Sequence, residues 1–192
     1  MRIKMRVQVF DHMNECTEAE VQRMLPQVSA QRREQALKYK HTFGQYCCLK
    51  SWIMLYDFIE LSNYRAVEWC YNEHGKPYIE NGPYFSISHC KEGIAVAVAN
   101  QPIGIDIEAI RHADEELIVR TMNEEERVGM DDRTFTRLWT QKEAVLKMEG
   151  TGIASFEQLQ RTLEHGDWSL ESFEKEKYIY SIAYGKLHCI GA

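Results

Sequence analysis

Two carboxylates stand two residues apart in Ile103–Glu108, I-G-I-D-I-E. On a strand, alternate side chains take opposite faces. Ile103, Ile105 and Ile107 then share a face that can be buried, and Gly104, Asp106 and Glu108 share the other. Side-by-side carboxylates can offer hard oxygen ligands to a cation, and Gly104 leaves bare backbone beside them, room for a bulky partner. The same hexapeptide also suits a half-buried edge strand with a solvated acidic face. In Trp139–Lys147, W-T-Q-K-E-A-V-L-K, Glu143 and Lys147 are four apart and share one helical face, with Trp139 a turn earlier. That is a charged pair turned toward one groove, or an ordinary surface ion pair. In Phe85–His89, F-S-I-S-H, Ser86 and Ser88 face one way and His89 ends the strand at a turn, where ligand contacts gather. A structural histidine explains it equally. Gly75-Lys76-Pro77 is a turn carrying an exposed lysine.

Alternation over Ile3–Val9 predicts an opening strand. Thr17-Glu18-Ala19-Glu20 is a capping box that starts a helix, and Pro26 should end or bend it. Ser29 can cap a second helix through about Lys40, carrying Arg32, Arg33, Lys38 and Lys40. This is the densest basic run in the chain, either a solvated face or a phosphate-holding patch. Gln45–Leu61 is apolar and long enough for a core helix. Short runs at Glu68–Tyr71, Lys76–Glu80, Tyr84–His89 and Ile94–Val98, separated by turn residues, read as antiparallel strands. Ile103–Glu108 follows Pro102; Glu115–Met122 and Thr134–Met148 read as helices and Glu124–Val128 as a turn. Gly150 and Gly152 break the pattern, and Trp168–Phe173, Tyr178–Ala183 and Leu187–Ile190 read as closing strands. The order strand, helices, strands occurs twice, which predicts two α+β halves, residues 1–102 and 103–192.

A chain of 192 residues, 44% hydrophobic, can bury a real core. A net charge of −6 argues against a general nucleic-acid or membrane-surface binder. No 18-residue apolar run occurs and the alternating start does not resemble a signal-peptide core, so a cytoplasmic protein is expected. Six cysteines, none in C-x-x-C or zinc spacing, are expected to be reduced.

Together, G-K-P, F-S-I-S-H, G-I-D-I-E and W-T-Q-K-E-A-V-L-K stand in the order found in 4′-phosphopantetheinyl transferases. The chain resembles their single-chain, surfactin-synthetase-activating type. The resemblance implies an α+β pseudo-dimer of two similar halves, monomeric, with its active site in the cleft between them. It implies transfer of the 4′-phosphopantetheine arm of coenzyme A to a serine of an apo acyl or peptidyl carrier protein, releasing adenosine 3′,5′-bisphosphate. Asp106, Glu108 and Glu143 would bind Mg²⁺, Glu143 would take the serine proton, and Lys147 and Lys142 would neutralise the pyrophosphate. Lys76, Ser88 and His89 match positions that hold the nucleotide, His89 donating more strongly when protonated. Arg32 and Arg33 are candidates for the remaining phosphate contact. Glu126 falls where relatives carry an acid, and Trp139 would shape the cleft. Met122-Asn123 replaces an aromatic and a hydroxyl residue on the loop toward the carrier. Two other readings use the same residues. One is a metal-dependent nuclease, although that core sets Glu-x-Lys on a strand. The other is a non-catalytic module binding coenzyme A or the carrier.

Overall fold

The computed structural model describes residues 5–59 and 70–185. The first half opens with β1 (Met5–Phe10), then α1 (Glu18–Met24), α2 (Ala30–Leu37) and α3 (Thr42–Phe58). A small ribbon, β2 (Cys70–Tyr71) with β3 (Pro77–Tyr78), precedes the hairpin of β4 (Tyr84–Cys90) and β5 (Gly93–Ala99). The second half holds β6 (Ile103–Ala109), α4 (Glu115–Thr121), α5 (Asp132–Glu149), α6 (Phe156–Arg161), β7 (Trp168–Glu174) and β8 (Tyr178–Gly185). Each half builds a three-stranded antiparallel sheet, β1-β5-β4 and β6-β8-β7. In both, the last strand inserts between the first and the second, so the doubled order seen along the chain is also a doubled topology.

Local chemistry accounts for the helix starts. Thr17 accepts from the Glu20 amide and Ser29 from the Arg32 amide, each satisfying an N-terminal N–H. Residues at Pro26 form a 3-10 turn. α2 stops at Leu37, short of Lys40, because Lys38 to His41 are all exposed and give a continued helix nothing to bury. α6 is one more element than sequence pattern predicts. Ser155 caps it by accepting from the Gln158 amide, and Gln158 Oε1 accepts from the amide of Ala154, the residue before the cap. The strand predicted at Leu187–Ile190 lies outside the described residues, as do Ile3, Lys4, Glu68, Trp69 and the last residues of the Gln45–Leu61 run.

The layers place β6 at the centre. Helices α1–α3 cover one face of the first sheet, with Tyr46, Leu49, Trp52 and Leu55 against Ile94, Val96 and Val98. Its other face, including Ala95, Ala97 and Ala99, meets Ile103, Ile105 and Ile107, all three isoleucines wholly buried. The far face of the second sheet carries α5, whose Ala144 and Val145 pack with Ala183. β6 is therefore covered on both faces and Asp106 is 3% exposed, which overturns the solvated-edge alternative. The room beside Gly104 is also accounted for: α5 fills it. A Cβ there would stand 1.9 Å from the Ala144 carbonyl oxygen and 2.4 Å from the Met148 nitrogen. Between the sheets, the Ile105 amide donates to Ser86 Oγ at 3.0 Å, a side chain satisfying a strand N–H.

Candidate active site

Close contact between α5 and β6 brings one lysine and three acids together. Lys147 Nζ lies 2.6 Å from Asp106 Oδ1 and 2.9 Å from Ser88 Oγ, and the Ser88 hydroxyl donates to the same Oδ1 at 2.7 Å. Asp106 Oδ2 is buried with no hydrogen-bond partner among the described residues. Burial first, and then the charge of Asp106, push the Glu108 carboxyl up to about 7, with Glu143 adding to the push and Arg111 and Lys147 opposing it. Burial and then Asp106 also raise Glu143, one turn before Lys147 on the helix. The two strand acids and the helix acid thus feel one another. They are not pre-arranged as a cage: among the described residues no three His, Cys, Asp or Glu side chains form a group able to hold a metal ion. The Lys147 ammonium sits on Asp106 Oδ1 instead.

Beside this group opens a cleft of about 430 Å³, walled by α2, α3, the β2–β3 turn and β4 from the first half and by α5 from the second. Arg32 is its distinctive feature. It is 7% exposed, lies 3.6 Å over the Trp52 ring, and reaches Tyr71 Oη at 3.1 Å and Cys48 Sγ at 3.9 Å. Its Nε is buried without a partner, and no carboxylate among the described residues pairs with it. An uncompensated buried guanidinium is costly, so this wall is chemically prepared for an anion. At the rim, His89 stands edge-on to Phe43, and burial and then the Lys147 charge lower its pKa.

A family model described as the 4′-phosphopantetheinyl transferase superfamily matches residues 102–188, the stretch carrying Asp106, Glu108, Glu143 and Lys147. The chain is 35% identical over 89 residues to 4′-phosphopantetheinyl transferase gsp of Aneurinibacillus migulanus, covering 43% of this chain and 38% of that protein. It is 31% identical over 148 residues to a 4′-phosphopantetheinyl transferase of Bacillus subtilis, covering 70% and 66%. To Sfp of Bacillus subtilis strain 168 it is 27% identical over 150 residues, covering 72% and 67%. The chain belongs to the 4′-phosphopantetheinyl transferase superfamily. The matched stretches thus span from 38% to 67% of these relatives' own lengths.

Several residues that the transferase resemblance implied have other partners in this structure. Lys142 is wholly buried; it donates to Glu126 Oε2 at 2.7 Å and to the carbonyls of Leu159 at 2.6 Å and Thr121 at 3.1 Å. Neighbouring residues on a helix point about 100° apart, so Glu143 facing the cleft turns Lys142 into the wedge under α4 and α6. Glu126 is consequently its counter-ion and not a fourth acid of the site. Glu126 also exchanges bonds with Asn123, accepting from its amide and donating to its Oδ1, both at 2.9 Å, while Met122 is core. The same rotation separates Arg33 from Arg32: Arg33 Nε donates outward to the Leu25 carbonyl at 3.1 Å. Trp139 stacks on Phe135, under Arg111, away from the cleft wall. Ser88 is spent on Asp106 and Lys147. Lys76 does line the cleft, but its ammonium donates to the carbonyls of Lys147, Met148 and Ile103, and burial lowers its pKa to about 8.

Proposed function

We propose that the protein transfers the 4′-phosphopantetheine arm of coenzyme A to a serine of an apo acyl or peptidyl carrier protein, with Mg²⁺, releasing adenosine 3′,5′-bisphosphate. The observation that carries this reading is that Glu143 and Lys147 line a cleft while coupled to Asp106 and Glu108, and that the same cleft is lined by the Arg32 guanidinium, with which no carboxylate among the described residues pairs. Family membership supports the reaction class. The reading treats residues 1–102 and 103–192 as the halves of a monomeric pseudo-dimer. Five unpaired cysteines among the described residues suit a reducing, cytoplasmic setting, and none of the described helices is long and apolar enough to cross a membrane.

The donor set suits a hard cation. Asp106 Oδ2 is buried with no hydrogen-bond partner among the described residues, and burial, then the Asp106 charge, raises the pKa values of Glu108 and Glu143. Asp106, Glu108 and Glu143 would hold Mg²⁺, which when bound would neutralise charge on pyrophosphate oxygens. The side chains supply the rest. Arg32 receives the nucleotide's phosphate, and His89 at the rim donates a hydrogen bond to it. Lys147 faces the pyrophosphate, with Ser88 holding Asp106 in place. The carrier serine oxygen attacks the phosphorus attached to pantetheine, and its bond to the oxygen of the departing bisphosphate breaks. Glu143 takes the serine proton, directly or through water.

With Mg²⁺ and coenzyme A, the protein is expected to add about 340 Da, the mass of the transferred arm, to an apo carrier protein. No mass gain on any of several apo carriers at saturating metal and cofactor overturns the reading. For the nucleotide wall, Arg32→Met should raise the KM for coenzyme A by about 10–100-fold, the loss of one charge-assisted contact. With 3′-dephospho-coenzyme A the same substitution should change KM less than about threefold, because the partner phosphate is missing. Equal losses with both substrates would place the phosphate elsewhere.

A further inference from the structure

The hairpin containing β2 and β3 does more than close one side of the cleft. An α-helix leaves its last carbonyls without partners inside the helix, and the accumulated dipole makes that end negative. α5 ends at Glu149, with Gly150 in the left-handed conformation at φ 79° and both Gly150 and Thr151 amides returning to the Leu146 carbonyl. Three of the carbonyls that remain are taken by side chains of the first half. Lys76 Nζ donates to the Lys147 carbonyl and, at 3.3 Å, to that of Met148. Asn72 Nδ2 donates to the Gly150 carbonyl at 2.8 Å. Lys76 Nζ also reaches the Ile103 carbonyl at 3.4 Å, the first residue of β6.

Asn72 has a second task. Its Oδ1 accepts from the amides of His74 at 3.0 Å and Lys76 at 2.8 Å, which shapes the turn presenting Lys76. One side chain therefore both builds the turn and grips the helix end. The carbonyls gripped belong to the residue whose ammonium lies on Asp106 and to its neighbours. We infer that Asn72 and Lys76 are positioning residues: together they clamp the C-terminal turn of α5 to the other half of the molecule and so hold Lys147 on Asp106. The inference builds on the transferase reading, for which Lys147 faces the pyrophosphate. It assigns the Lys76 ammonium to the helix end, where its three carbonyl acceptors lie.

Amide hydrogen exchange and steady-state kinetics, on the whole chain, separate these roles. In Lys76→Met the apolar stem stays and the donors go. Exchange at Gly150 and Thr151 should then quicken by about tenfold in the protein without coenzyme A. In the transfer assay kcat should fall about tenfold while the KM for coenzyme A moves less than about threefold. Asn72→Asp keeps the acceptor that builds the turn and loses the donor to Gly150; it should quicken the same two amides and lower kcat by a smaller factor. It also keeps the test alive if Lys76→Met does not fold. Unchanged exchange at Gly150 and Thr151 in the variant that folds overturns the clamp. So does a raised KM for coenzyme A with kcat unchanged, which would return Lys76 to the nucleotide. Exchange is read without substrate, so absence of transfer by the unmodified protein would defeat the transferase reading and leave the clamp standing.

Discussion

Asp106→Asn should cut transfer by about 10²–10³-fold, the usual loss when one preorganised electrostatic group is removed, while the melting temperature holds or rises. The direction follows from what surrounds this side chain. Asp106 is 3% exposed, and one of its oxygens has no hydrogen-bond partner among the described residues. After burial, its charge is the next cause that makes both Glu108 and Glu143 harder to ionise. An amide of the same shape keeps an oxygen for Ser88 and Lys147 and removes that repulsion. The Lys147 ammonium loses its counter-ion, but its side chain is 30% exposed and water offsets part of the loss. The two changes nearly cancel, and the melt should stay within about 4 °C of the parent, on the upper side. Burial still holds Glu108 up, but without the Asp106 charge it should titrate lower than in the parent, which carbon-detected NMR of the carboxyl would read. A melt lowered by more than about 10 °C, with activity lost in proportion to folded protein, would make Asp106 a structural acid.

That arrangement, in which stability is given up where charge is concentrated, is the usual mark of a working site. It also shows how far sequence pattern reaches. Strand alternation put Ile103, Ile105 and Ile107 on a buried face, and four-residue spacing put Glu143 and Lys147 on one side of α5; both hold in three dimensions. Both depend only on the period of the local backbone. The opposite face of β6 was ambiguous because its covering partner, α5, lies some 40 residues farther along and a glycine does not announce what fills its space. Lys142 and Arg33 bond away from the cleft for a related reason. Each adjoins a residue that does face the cleft, and a one-residue step on a helix turns a side chain by about 100°. Whether such a residue meets solvent or a buried counter-ion is decided by elements packed from elsewhere, here α4 and α6 around Lys142. Lys76 is the extreme case, since its carbonyl partner at Lys147 is 71 residues away. The α6 start did carry a local signal, Ser155 three residues before Gln158, whose amide Ser155 Oγ accepts.

The largest structural penalty should come from the smallest change, Gly104→Ala. The added methyl would meet the Ala144 carbonyl oxygen at 1.9 Å and the Met148 nitrogen at 2.4 Å. Both are backbone atoms of α5, so no rotamer change relieves the overlap, and the helix must lift by roughly 1.5 Å to regain ordinary contact. Lifting it unpacks Ala144 and Val145 from Ala183 and opens a void above the second sheet. Overpacking with a backbone shift of this kind costs about 3–5 kcal/mol, and the melt should fall by about 10 °C or more. The molecules that remain folded should still transfer about 10²-fold more slowly, because a shift near 1 Å at catalytic groups has that effect. Glu143 and Lys147 ride on the displaced helix, whereas Arg32 on α2 does not, so affinity for coenzyme A should suffer less than kcat. A second substitution, Ala144→Gly, should not restore either property, since the atom struck is the carbonyl oxygen and not the methyl. Rescue by Ala144→Gly, or a Gly104→Ala protein of parental stability, would mean that α5 does not bear on β6 at this point and that the alignment of Lys147 with Asp106 has another cause.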